Sequence, residues 1–295
     1  MTVSTKRGAS QVAVLAAISL VVVFVLLVFA LRLPQVGDSE NTVRVYCASG
    51  VAQPIESIVQ RFNEQHNGSV IVVRTGGSGE LAGQIKTEVV TGIEAGANVY
   101  ISADRFLVQR LEETGTVQET AVLAFQTPVI AMRVGSNAPW ESLSAVLNDP
   151  SIKLGVGSSR SAIGQATRSM AQQAGLLEVL EKQKRMDAEN VMVLGQALVS
   201  GSVDVAVLWD ATITQINQAH PEDVVVAASD IDLGGSANVA RDSITASLVM
   251  SNNDKEQSRR FLKFMTTSQF ASDQLVAAGF TVNQTEPAAA VDPGF

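Results

Sequence analysis

Residues 69–90 read SVIVVRTGGSGELAGQIKTEVV. A β-branched run over 69–74 gives way to Thr75-Gly76-Gly77-Ser78-Gly79, and then to an amphipathic stretch at about 79–90. The pattern is that of a buried strand, a tight turn and a helix. Two further segments repeat it. VRVYCA (43–48) runs through Ala48-Ser49-Gly50 into a helix expected at about 53–65, and IKLGVG (152–157) runs through a Gly157–Gly164 turn into a helix near 163–174. Strands are also expected at 98–103, 128–134, 203–209, 224–228 and 244–250. Helices are expected after Asp104 with Phe106, Leu107 and Leu111 on one face, at 189–199, at 255–267 and at 269–278. Strands alternating with helices of this length predict an α/β protein with mainly parallel sheets.

Glycine lets a backbone approach a ligand closely, and serine adds an O–H donor. A helix N-terminus presents unpaired N–H groups and a partial positive charge, and ligands of parallel α/β folds gather at the carboxyl ends of strands. Three such turns are able to converge on one anion through neutral donors. Each turn taken alone is better explained by helix capping.

Composition narrows the chemistry. The chain has 295 residues, 21 Lys+Arg against 29 Asp+Glu, and a net charge of −8. An acidic chain lacks the field that phosphate-backbone binding needs, so nucleic acid is excluded as a partner. One cysteine, Cys47, leaves no disulfide framework and no thiolate zinc site, and two histidines, His66 and His220, leave little for a metal site or a triad. The 76–79 turn lacks the Lys-Ser/Thr of a P-loop, and no Gly-x-Ser-x-Gly elbow is present. No cofactor and no enzymatic activity are expected. Asp210 is expected to cap the helix after strand 203–209 and to point away from any bound anion.

Near the N-terminus, Lys6 and Arg7 precede 20 uncharged residues, VAVLAAISLVVVFVLLVFAL (12–31). That length matches a bilayer core, and no small-x-small cleavage site follows. The segment reads as a signal anchor rather than a cleaved signal, with the basic residues cytoplasmic and the remainder outside. Residues 1–36 are assigned to anchor and tether, and 285–295 to a disordered tail.

The turns and the segments between them resemble the periplasmic molybdate-binding proteins of ABC importers. VYCASGVAQPIESIVQRFNEQHNGSVIVV, TGGSGELAGQI, GIEAGANVYISAD and ENVMVLGQALVSGSVDVAVLW match four of that family's segments in order, over roughly 43–282. The resemblance implies a two-lobed type II periplasmic binding fold, with lobes at 42–126 plus 240–284 and at 127–239. It implies a monomer that closes on a tetrahedral oxyanion and passes it to an ABC permease outside the cytoplasmic membrane. The ligand donors it implies are Ser49, Ser78 and Trp209, with backbone N–H groups near Ile163 and Val191, and molybdate is bound as an oxyanion without a resident metal. Trp209 stands where the family usually has tyrosine, Ala162-Ile163-Gly164 where it has Pro-Ala-Gly, and Asp210-Ala211-Thr212 where Ser-Asp-Ala commonly follows the tyrosine. The alternatives are the same fold holding sulfate, phosphate or an organic acid, and a membrane-tethered sensor or adaptor.

Overall fold

A computed structural model describes residues 42–66, 69–92, 96–133, 142–222, 225–228, 241–250 and 256–282. Strand β1 (Thr42–Ala48) is buried at every residue except the half-buried Arg44, because both of its faces are covered. Val43, Val45 and Cys47 join the core that includes Ile55, Ile58 and Phe62 of helix α1 (Ala52–His66). Tyr46 joins a second core with Leu81 and Ile85 of α2 (Ser78–Thr91). A strand covered on both faces reads as a continuous apolar run for this reason.

The first sheet is completed by β2 (Ser69–Gly76), β3 (Val99–Ser102), β4 (Val117–Gln126) and β10 (Asp242–Val249), in the order β2-β1-β3-β10-β4. The second has the order β7-β6-β8-β5-β9, from β5 (Pro128–Arg133), β6 (Leu154–Gly157), β7 (Lys184–Ala188), β8 (Val205–Trp209) and β9 (Val225–Ala228). Both fall within the unit Asn41–Phe295. Helices α3 (Arg105–Glu113), α4 (Leu143–Leu147), α5 (Ala162–Gln173), α6 (Leu177–Gln183), α7 (Val191–Val199), α8 (Asp210–Ala219), α9 (Glu256–Thr267) and α10 (Gln269–Ala277) complete the described elements.

The sheets are mixed, not mainly parallel. β1 pairs in parallel with β2 and β3, and β6 with β7 and β8. The pairings of β10 with β3 and β4, and of β5 with β8 and β9, are antiparallel. The cause is topological. β1, β3, β6 and β8 end at the junction of the two sheets, whereas β5 enters its sheet from that junction and runs away from it, and β10 likewise runs against β3. The chain passes from β4 into β5 with only Thr127 between them. β4 escapes the periodicity reading because VQETAVLAFQ is an edge strand with polar residues through its first half.

Asp104 caps α3, its carboxylate accepting from Leu107 N–H at 3.1 Å. The buried face of that helix is Val108 and Leu111, while Phe106 is 58% exposed, which corrects the expected apolar face. Among the described residues no helix is long and apolar enough to cross a membrane. The anchor assigned to 1–36 and the tail assigned to 285–295 lie outside the described residues.

Candidate functional site

Each turn leaves particular donors unused. At the end of β1, Ser49 opens a 3-10 turn (Ser49–Val51) that leads straight into α1. Ser78 begins α2 and is 3% exposed. Its Oγ accepts from Ala103 N–H at 3.1 Å, and its carbonyl accepts from the Tyr100 hydroxyl at 2.8 Å. With the oxygen engaged as an acceptor, the Ser78 O–H itself has no acceptor among the described residues, which leaves it a donor. Burial holds the Tyr100 phenol far above its ordinary range, so it remains protonated to make that contact.

In the second lobe, Ser161 caps α5 by accepting from Gly164 N–H at 3.1 Å. The cap takes the third N–H of the helix and leaves those of Ala162 and Ile163 without an intrahelical acceptor. Asn190 caps α7 by accepting from Met192 and Val193 N–H, both at 3.1 Å, which leaves the N–H of Val191. Trp209, 2% exposed, ends β8 and occupies the N-cap position of α8. Its indole N–H has no acceptor among the described residues.

All five residues expected from the sequence line one small cavity: Ser49, Ser78, Ile163, Val191 and Trp209. Gln126, Asn190 and Ser161 also line it, and among the described residues no Asp, Glu, Lys, Arg or His side chain does. About 20 Å³ is open in it, equal to a sphere of radius about 1.7 Å for atom centres. Gln126, which donates to Ala103 O at 3.3 Å, was hidden from sequence reasoning because it sits at the end of the unforeseen β4.

The β6–α5 turn is held from behind by Arg168. One guanidinium nitrogen donates to Gly157 O at 2.6 Å and Gly164 O at 3.1 Å, while the others pair with Glu181 and Asp187. A Cβ on Gly164 would fall 1.9 Å from Ser158 O, so this turn tolerates only glycine there.

Asp210 lies outside the cavity lining, as expected, but Trp209 and not Asp210 holds the cap position. The Asp210 carboxylate accepts from Thr127 N–H at 3.0 Å, and Asp210 N–H donates to Thr127 O at 2.9 Å. Asp210 thus clamps Thr127, the one residue between β4 and β5. His66 ends α1 with its ring stacked on Phe62 at 4.4 Å, and His220 follows α8. Neither faces the cavity. Cys47 is buried, which pushes its thiol far above its ordinary range. Among the described residues no three His, Cys, Asp or Glu side chains are grouped to hold a metal.

The two lobes touch directly around the cavity. Gly79 N–H donates to Arg160 O at 3.1 Å, and Gln215 Nε2 donates to Gly50 O at 3.0 Å. A Cβ on Gly77 would lie 2.8 Å from Glu189 O, one on Gly50 2.9 Å from Val191 Cγ1, and one on Gly79 2.2 Å from Arg160 O. The absence of side chains at these turns is what lets the lobes approach this closely.

Two mixed α/β lobes meeting over a small donor-lined cavity define an extracellular solute-binding architecture. The chain belongs to the bacterial extracellular solute-binding protein family, whose model matches residues 43–281. It is similar to a Haemophilus influenzae protein named only as a binding protein, with 27% identity over 165 residues, 56% of this chain and 64% of that protein. The chain thus spans less than two thirds of that relative's length. Among solved structures it is similar to the periplasmic molybdate-binding protein of Azotobacter vinelandii, with a TM-score of 0.63 and 21% identity over 82% of this chain and 100% of that one. It is also similar to a periplasmic thiamin-binding protein, with a TM-score of 0.71 and 15% identity over 84% and 85% of the two chains. At these identities the likeness is one of fold.

Proposed function

We propose that this protein captures a tetrahedral oxyanion, molybdate or tungstate first, outside the cytoplasmic membrane and delivers it to an ABC permease. The observation that carries this reading is the convergence of Ser49, Ser78, Trp209 and the spare N–H groups of Ile163 and Val191 on one uncharged cavity. The open space suits the four oxygens of a single central atom, and it is too small for an organic solute the size of thiamin. Each charge-assisted hydrogen bond contributes roughly 1.5–3 kcal/mol. Five of them sum to roughly 7.5–15 kcal/mol, which brackets the ~8 kcal/mol of micromolar binding before the cost of closing the lobes.

The donor set also bears on charge state. A hydrogen phosphate oxygen that carries a proton needs an acceptor, and among the described lining residues there is no carboxylate, only neutral acceptors such as the Gln126 amide oxygen. The site therefore favours ions that are fully deprotonated at neutral pH. Sulfate shares that property, and the bulk of Trp209 beside a small cavity keeps it as the second reading. No covalent chemistry is assigned, since among the described residues neither serine has a His, Asp, Glu or Lys in the cavity to act as a base.

In this reading the lobes comprise 42–126 with 240–284, and 127–239, and the Thr127 crossing is one strand of the hinge. Residues 12–31 anchor a monomer in the cytoplasmic membrane, within the anchor and tether assigned to 1–36. Calorimetric titration with molybdate, tungstate, sulfate and phosphate tests the assignment. Saturable 1:1 binding of molybdate or tungstate supports it, sulfate alone selects the second reading, and no response to any of the four removes both.

A further inference from the structure

Among the described residues, strand-to-helix turns supply the whole lining of the small cavity except Gln126. Gln126 ends β4 and is 3% exposed. The next residue, Thr127, is the one that Asp210 clamps. Gln126 therefore reaches the cavity from the β4–β5 crossing.

Ala103 fixes how the amide lies. Its carbonyl accepts from Gln126 Nε2 at 3.3 Å, while its N–H donates to Ser78 Oγ at 3.1 Å. A carbonyl oxygen cannot hydrogen-bond an amide oxygen, so the nitrogen of Gln126 and not its oxygen stands at Ala103. One residue thus anchors both Gln126 Nε2 and Ser78 Oγ, and it lines the cavity with them. The amide nitrogen carries two hydrogens, and Ala103 takes one. The second has no acceptor among the described residues, and neither has the amide oxygen a donor. A buried donor left unmade is costly, which calls for an acceptor in the space it borders.

We propose that Gln126 is a sixth ligand residue, giving its second Nε2 proton to an oxygen of the bound ion beside the Ser78 hydroxyl. This deepens the oxyanion reading and rests on it. The ion is then held from the crossing as well as from the turns of both lobes.

The test is calorimetric titration of the full-length protein with molybdate and with hydrogen phosphate. Gln126→Met keeps the shape of the side chain without its donor, and it weakens molybdate by about tenfold or more. Gln126→Glu places a carboxylate against the dianion at neutral pH and weakens it by about a hundredfold or more. A side chain that only braced Ala103 would act through Ser78. The Gln126→Met loss therefore has to persist, again at about tenfold, in the Ser78→Ala background. The proposal is overturned if that loss vanishes in the Ser78→Ala background, or if Gln126→Glu keeps wild-type affinity. It is also overturned if Gln126→Met keeps wild-type molybdate affinity, even with hydrogen phosphate weakened, since that assigns the amide oxygen instead. Wild-type protein that binds neither ion removes the oxyanion reading and this proposal together, an outcome distinct from the others.

Discussion

The lobes of this protein close glycine against backbone, and Gly79→Ala tests what that contact does. A Cβ at residue 79 lies 2.2 Å from the Arg160 carbonyl oxygen and 3.1 Å from its carbon. Carbon and oxygen tolerate about 3.3 Å, so the β6–α5 turn must retreat by roughly 1 Å. Gly157 and Gly164 are packed against the turn itself, and Arg168 pins their carbonyls, so it retreats as a body. The Gly79–Arg160 hydrogen bond at 3.1 Å then stretches beyond useful range. The same shift draws the Ile163 N–H away from an ion held by Ser78. Losing one neutral and one charge-assisted hydrogen bond costs about 3 kcal/mol, or about a hundredfold in Kd. The first lobe should not suffer, because alanine is the better helix former. Calorimetry should thus show weakened oxyanion binding with an unchanged or raised melting temperature. Gly83→Ala is the matched control on the same helix, since nothing lies within 4 Å of a Cβ there, and its affinity should equal wild type. Wild-type affinity in Gly79→Ala would refute the reasoning.

Further outcomes follow from the same contacts. Ser78→Ala removes a donor and strands the Ala103 N–H, so oxyanion affinity should fall by about tenfold or more with the circular dichroism spectrum unchanged. Arg168→Lys replaces a fork that reaches two carbonyls and two carboxylates with a single ammonium, and oxyanion Kd should rise while the lobes still fold. Asn190→Ala frees the Met192 and Val193 N–H groups and should cost roughly 1 kcal/mol in a denaturant melt. The Asp242 carboxyl, raised from 3.8 to about 6 by burial and then by the neighbouring Asp104 charge, binds its proton more tightly in the folded protein than in the unfolded chain. Its effect on stability is therefore unfavourable once pH rises through that interval and absent below it. Asp242→Asn should raise the melting temperature at pH 7 and leave it near wild type below pH ~4.

Ser49 and Ser78 were legible as turn residues because each follows a buried β-branched run and precedes a helix, whereas Trp209 was singled out only by the family resemblance. Local chemistry of that kind survives in sequence. Gln126 was not legible, since its strand is an edge with polar residues over its first half and carries little periodic signal. The mixed sheets were hidden for a related reason, because apolar runs report burial and not direction. The role of Asp210 depended on its partner Thr127, 83 residues away. The glycines at 50, 77 and 79 were visible as turn formers, yet nothing local says that each one faces the opposite lobe. Likewise Asp242 meets the Arg105 backbone beside Asp104 across 137 residues, a proximity only the fold creates.

The central claim is a location, and anomalous scattering from molybdenum in crystals grown with molybdate addresses it most directly. The account predicts one peak, between Ser49 and Ser78 on one side and Trp209 and the Ile163 and Val191 N–H groups on the other. A peak elsewhere, or an unoccupied cavity beside saturating molybdate, would contradict it.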